Sequence, residues 1–226
     1  MLKTMTSEID RIIPVYKPVG FSTFDLIRIF KKKTGYKGKI GHGGTLDPFA
    51  CGVVLLLLGK ATKKFEEIKL WDKVYIAGLR LGIDSETGDI AGEVRKFEPQ
   101  NIFIPDRESI EKAIKNFIGE IDQKVPLYSA AKYKGRPLYK LAKNGIKVEK
   151  SKMVKIYNIE LINYRYPILT IRVCCSGGVY IRQLAHDIAE ELGTTCLLFY
   201  LERERVGNFT IKECYLIEDF EKITIQ

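Results

Sequence analysis

Residues 41–63 read "GHGGTLDPFACGVVLLLLGKATK". The stretch joins two opposite kinds of sequence. Gly41 to Pro48 is polar and turn-forming, with His42, paired glycines and an Asp-Pro step. Val53 to Leu58 is an unbroken apolar run, which reads as a buried strand. Polar groups on a loop anchored to a rigid scaffold are a usual seat of chemistry. Asp47 is therefore the residue to explain. Asp-Pro by itself makes turns. A carboxylate presented on a glycine-shaped loop can also serve as nucleophile or general base.

Upstream, "RIIPVYKPVGFS" (11–22) reads as a short strand and a Pro/Gly turn. Ser22 and Asp25 predict a capping box for a helix over "TFDLIRIFKKKTG" (23–35), which ends in basic residues and Gly35. Downstream, "KATKKFEEIKLWDK" (60–73) is a helix or turn. "VYIAGLRLGIDSETGDIAGEV" (74–94) alternates apolar and polar residues and reads as a hairpin turning at Asp84 to Gly88. Asp106 caps a helix over "RESIEKAIKNFIGEIDQ" (107–123), with Ile110, Ala113, Ile114, Phe117, Ile118 and Ile121 at helical spacing. "KMVKIYNIELINYRY" (152–166) and "PILTIRVCCSGG" (167–178) are strands, the second with Leu169, Ile171 and Val173 on one face. "VYIRQLAHDIAEELG" (179–193) is a helix stopped by Gly193, and "CLLFYLERERVGNFT" (196–210) is more strand. Helices alternate irregularly with strands and hairpins. The fold class is α+β, a central mixed or antiparallel sheet flanked by helices and loops. With no repeat, low-complexity tract or linker, residues 1–226 are expected to form one domain.

Composition removes several function classes. The 226 residues are 46% hydrophobic, enough for a substantial core. The start "MLKTMTSEID" lacks the apolar region of a secretory signal, and Val53 to Leu58 is far too short for a membrane span. Cysteines at 51, 174, 175, 196 and 214 form no C-x-x-C pair, and the histidines are His42 and His186 only. A disulfide framework or zinc site is not expected, and a cytoplasmic location fits. "GVVLLLLGKAT" lacks P-loop spacing, and neither G-x-G-x-x-G nor G-x-S-x-G is present, so no nucleotide cofactor or serine hydrolase is indicated. The net charge of +9 suits either a lysine-rich passive surface or an anionic partner such as nucleic acid.

Further segments accompany the Asp47 loop. "KVYIAGLRLG" places Tyr75 early in a strand. "GGVYIRQLAHDI" places Tyr180 and Arg182 at a helix start, and "YLERERVGNF" contains Leu201. Together these resemble the TruB-type tRNA pseudouridine-55 synthases. "GHGGTLDPFACGVV" looks like that family's GHTGTLDP-x-A-x-G motif, "KVYIAGLRLGIDSETGD" its tyrosine motif, and "GGVYIRQLAHDIAEELG" its YIR motif. "VPLYSAAKYKGRPLYKLAKNGI" is similar to its P-x-YSA-x-K segment, and "YKPVGFST", with Lys17, to its K-P-x-G motif. The order agrees, and the resemblance runs from about Ile12 to Phe209.

The resemblance implies the pseudouridine-synthase fold and isomerisation of uridine 55 in the T-arm of tRNA by base flipping, with no metal and no cofactor. It implies Asp47 as the catalytic aspartate, acting at C1′, at C6 or on the C2′ proton. Arg182 is implied as the cation that pairs with it, so that Arg182→Met is expected to fold yet lose most activity. Tyr75 is implied to stack on the flipped base, Tyr180 to be a second pocket aromatic, and Leu201 to line an apolar pocket. His42 is implied to fill the gap the base leaves, with Gly43 and Gly44 letting backbone approach RNA. Lys124 to Lys150, a basic insertion at about 124–152, carries Lys124, Lys132, Lys134, Arg136, Lys140, Lys143 and Lys147 with Tyr128, Tyr133 and Tyr139 interleaved. It is expected to grip RNA and to order on binding it. Departures are Gly43 for the usual Thr, expected to loosen the loop, and Glu202 and Glu204 in "LERERVG" for LRRTRVG, expected to weaken RNA contact. The C-terminal PUA domain of many members is not expected after "YLIEDF", and the protein is expected to be a monomer.

Overall fold

The computed structural model describes residues 10–96, 104–146 and 148–224. Lys147 and most of the polar start of the chain lie outside them. In chain order come β1 (Arg11–Lys17), α1 (Thr23–Thr34), β2 (Ile40–His42), β3 (Cys51–Leu58) and α2 (Phe65–Ile68). Then follow β4 (Lys73–Leu81), β5 (Ile83–Ser85), β6 (Val94–Lys96), α3 (Arg107–Lys115) and β7 (Gly119–Lys124). The last group is β8 (Lys132–Tyr133), β9 (Arg136–Pro137), α4 (Leu138–Lys143), β10 (Ser151–Arg165), β11 (Ile168–Cys175), α5 (Ile181–Glu191), β12 (Cys196–Val206) and β13 (Phe209–Thr210). The chain divides into two compact units, one of residues 1–74 and 202–226, the other of residues 75–201.

The first unit is built on β3. All eight of its residues are buried, as the apolar run predicts, and burying each Leu or Val contributes roughly 1.5–3 kcal/mol. β1 pairs antiparallel along one edge, Lys17 opposite Gly52. The other edge is shared: the end of β12 pairs parallel at Glu202↔Cys51 and Arg203↔Gly52, and β2 pairs antiparallel at Leu56 to Leu58. α1 forms where predicted. Ser22 and Asp25 complete the capping box, and Gly35 takes the left-handed conformation at its C-terminus. Leu26, Ile27 and Phe30 point inward.

In the second unit the order is the start of β12, then β4, β11, β10 and β7. β10 pairs antiparallel with both β11 and β7. Leu169, Ile171 and Val173 are fully buried, as their alternation predicts. Two expectations are corrected. β4 is an internal strand rather than half of a hairpin, and the hairpin is β5 with β6. α3 stops at Lys115 instead of reaching residue 123. Gly119, at φ +117, starts β7, so Ile121 sits in a strand. No helix among the described residues is long and apolar enough to cross a membrane.

Candidate active site

The Asp47 loop is held by backbone accounting. A buried strand edge must have its carbonyls and amides paired. Between the parts of β3 claimed by β12 and β2, the carbonyl of Leu55 accepts from Gly43 N at 2.8 Å. The carbonyl of Val53 accepts from Arg203 Nε at 2.7 Å. The Arg203 guanidinium, 3% exposed, goes on to donate to Thr45 O at 3.1 Å and Gly44 O at 3.2 Å. It therefore clasps the first half of the loop to the strand. Lys17 clasps the second half. Its ammonium is wholly buried and donates to Phe21 O at 2.7 Å, Pro18 O at 3.0 Å and Pro48 O at 3.3 Å. Burial pushes its pKa down to about 8, with Arg203 adding to the fall and the charges of Cys51 and Asp47 opposing it. The Asp47 carbonyl closes a turn onto Ala50 N at 3.0 Å, and the residue itself is half-buried. Asp47 is thus carried, half-buried, on a loop whose backbone is underpinned by two buried cations.

His42 ends β2 beside it. Its Nδ1 accepts from Gly44 N at 3.3 Å, so the ring proton resides on Nε2. Burial, and then Arg203, lower its pKa, which keeps the ring neutral near pH 7. The rings of Phe24 and Phe65 meet it edge-on, at 6.1 Å and 6.4 Å between centroids. Gly43 has no room for a side chain here. It is buried, and a Cβ there would come 2.7 Å from Ile68 Cγ2 and 3.2 Å from Leu55 Cβ. Its place is therefore in the packing beneath the loop. Glu202 also has a local use. It accepts from the Tyr16 hydroxyl at 3.0 Å, and burial, reinforced by Cys51 and Glu202, raises the Tyr16 pKa.

In the second unit Tyr75 and Leu201 are buried, on β4 and β12. Arg182, near the start of α5, is also buried and meets a carboxylate of its own unit: Nη1 lies 3.0 Å from Asp89 Oδ2. The guanidinium also donates to Thr87 O and Tyr128 O, each at 2.9 Å. Asp89 is buried in turn and accepts from Thr87 Oγ1 at 2.8 Å and Ala91 N at 2.9 Å. Sequence reasoning missed Asp89. Its signal was the turn run "SETGD", where Ser and Thr hydroxyls can tie back to a following Asp. Tyr180 is pinned by the buried Gln123, whose Oε1 accepts its amide at 2.8 Å and whose Nε2 donates to its carbonyl at 3.1 Å. The Lys152 ammonium lies 4.2 Å over the Tyr180 ring and donates to Gly178 O. Burial, then Lys150, pushes its pKa down to about 8. Lys152 too went unnoticed in the sequence.

The described part of the basic insertion contains β8, β9 and α4. β8 and β9 form a hairpin turning at Lys134 and Gly135, both at positive φ. Leu138 and Leu141 of α4 pack on Val125. Lys132, Lys134, Arg136, Lys140 and Lys143 remain exposed. Elsewhere, His186, Asp187 and Glu190 on α5 bring potential metal-ligand atoms within 4.8 Å of one another. Asp187 accepts from Gln183 Nε2 at 2.7 Å, and burial raises its pKa. A hollow of about 570 Å³ lined by Trp71, Arg205 and Phe209 contains none of the residues singled out from the sequence.

With this geometry in place, comparison with known proteins is decisive. The model of the TruB family pseudouridylate synthase (N terminal domain) matches residues 28–181. The chain belongs to this family. TruB-family relatives named tRNA pseudouridine synthase B include that of Caldicellulosiruptor saccharolyticus, 45% identical over 92% of this chain and 71% of its own length. The one from Clostridium tetani is 42% identical, over 95% of this chain and 74% of its own. Among solved structures, a chain of a Cbf5-Nop10-Gar1 complex aligns over 92% of this chain with a TM-score of 0.71 and 29% identity. This TruB-family chain spans about half of that one, 52%. A chain of an H/ACA RNP bound to a substrate RNA containing 2'-deoxyuridine aligns with a TM-score of 0.68 and 26% identity, over 92% of this chain and 51% of that one. The α+β reading and the family resemblance therefore hold.

Proposed function

We propose that the protein isomerises a uridine of tRNA, at position 55 in the T-arm, to pseudouridine. The observation that carries the proposal is the Asp47 carboxylate on a family-specific loop clasped by Lys17 and Arg203. The relatives at 42–45% identity are both named for tRNA, which favours that substrate over that of the H/ACA RNP, resembled at 26%.

In the reaction the N1–C1′ bond breaks, the base turns, and C5 bonds to C1′. The C5 proton leaves and N1 regains one, so nothing is added or lost overall. The chemistry needs a carboxylate at the sugar or the base, which is the role of Asp47. Water is a competitor here, unlike in glycoside hydrolysis, where a second carboxylate activates it. The uridine must leave its stack, at a cost of a few kcal/mol. By their places in the motifs, Tyr75 stacks on the flipped base, Tyr180 and Leu201 contact it, and Arg182 supplies positive charge. A neutral His42 with its proton on Nε2 is a flat, hydrogen-bonding filler for the vacated stack. Gly44 shapes the loop, and Lys132 with its basic neighbours holds phosphates. The protein works as a cytoplasmic monomer.

The test is tritium release from an unmodified tRNA transcript labelled at uridine C5, with wild type and Asp47→Asn. Release by wild type alone is expected. Release of labelled uracil instead identifies a glycosylase, and binding without release identifies an RNA-folding factor.

A further inference from the structure

We propose that Phe24 is a second stacking platform, holding an unpaired base of the RNA next to the one His42 replaces. The inference rests on the reading of the protein as an RNA-modifying enzyme. It begins with a misfit. The inward face of α1 is Thr23, Leu26, Ile27 and Phe30. Phe24 lies on the opposite, polar face, one turn before Arg28, and is 67% exposed. An isolated exposed apolar residue needs no explanation. Phe24 is not isolated: its ring stands edge-on to His42 at an interplanar angle of 76°. Phe65 stands edge-on to the same ring at 88° and is partly exposed. The imidazole is thereby flanked by two phenyl rings that both reach solvent.

The apolar surface continues along the other border of the loop. Val19 and Phe21 are exposed. Their segment is tied to the residue after Asp47 through Gly20 N to Pro48 O at 2.8 Å. Exposed cations adjoin the rings: Lys60, Lys63 and Lys64 lead into Phe65, while Arg28 on α1 is paired with Asp25. Flat rings beside exposed lysines are the combination that binds single-stranded nucleic acid, bases on rings and phosphates on cations. The three exposed lysines supply the positive charge that phosphates require, beside rings that can take bases. The chemistry therefore points to RNA with unpaired bases.

The test compares Phe24→Ala, Phe24→Leu and Phe24→Trp on an unmodified tRNA transcript. Affinity is measured in an Asp47→Asn background, and turnover with Asp47 intact. Thermal melts serve as the fold check, since an exposed ring is dispensable to packing. Base–aromatic stacking predicts a loss of roughly tenfold or more in affinity and a matching rise in KM for Phe24→Ala, with kcat nearly unchanged. Phe24→Leu, which keeps bulk but has no π face, should be as weak as Phe24→Ala, and Phe24→Trp should match wild type. RNA affinity unmoved by Phe24→Ala, with an active wild type, overturns the inference alone and leaves a protein partner as the occupant. Full recovery by Phe24→Leu also overturns it, because bulk then suffices. A wild type that binds RNA without isomerising it overturns the catalytic reading, and the affinity series still decides Phe24. A wild type that does not bind RNA overturns both.

Discussion

Gly52 lies against the backbone of Arg203 so closely that a Cβ on it would stand 2.3 Å from the Arg203 carbonyl oxygen and 2.7 Å from its amide nitrogen. The two residues are register partners where β12 meets β3. Gly52 also has φ +110, a conformation that L side chains rarely adopt. Gly52→Ala is therefore expected to lose roughly 2 kcal/mol or more, from strain and overpacking together. That corresponds to a fall of about 4–8 °C in melting temperature. Because the displaced strand carries the Arg203 clasp, activity should fall further than stability does. A melt within a degree of wild type counts against the close contact.

Lys17 makes stability depend on pH in an unusual direction. Its pKa is about 8 in the folded protein against 10.5 unfolded. Between these values the unfolded chain binds the proton and the folded one does not, so stability rises with pH through this window. Burial of the charge costs stability at and below pH 8, and the cost is relieved above it. Tyr16 acts oppositely: its raised pKa costs stability above pH 10, where only the unfolded phenol ionises. Urea unfolding at pH 7, 8, 9 and 10 should show the rise, of which the Lys17 share is on the order of 2–3 kcal/mol. Lys152, also lowered to about 8, adds to the rise in the same window. Lys17→Met should remove the Lys17 share while leaving that of Lys152. Wild type and Lys17→Met running parallel over this range refute the assignment.

Arg182→Met was expected from sequence to fold normally. The Asp89 pair changes that expectation. Removing the guanidinium leaves a buried carboxylate short of its cation, which costs about 3–5 kcal/mol. Arg182→Met and Asp89→Asn should each destabilise, and the double variant should lose less than the sum, with a coupling of 1 kcal/mol or more. Denaturant unfolding of all four proteins closes the cycle. Additive losses would show that the two groups do not act as a unit.

These particulars also show what a sequence can carry. The α1 capping box, the buried β3 and the inward face of β11 were legible because each is written in neighbouring residues. The family motifs were legible for the same reason, as short fixed strings. The α3 boundary was misread because Phe117, Ile118 and Ile121 continue a helical spacing by accident across Gly119, where the backbone reverses sign in φ. Arg203 was passed over because its neighbours Glu202 and Glu204 stood out as the departures in "LERERVG". Its inward direction follows from two-residue alternation with the buried Leu201, and its partners are backbone carbonyls, which no side-chain pattern encodes. Asp89 and Lys152 are similar cases, each defined by a contact with a residue far along the chain.

The Arg203 clasp has a consequence for biosynthesis. The guanidinium reaches carbonyls 150 to 159 positions earlier in the chain. A ribosome adding about 5–20 residues per second takes on the order of ten to thirty seconds to cover that separation. Throughout this interval the nascent chain carries the Asp47 segment, with its strand and Lys17 already made, but without the cation that fastens it. The motif that comes early in the message is thus among the last parts of the fold to be locked.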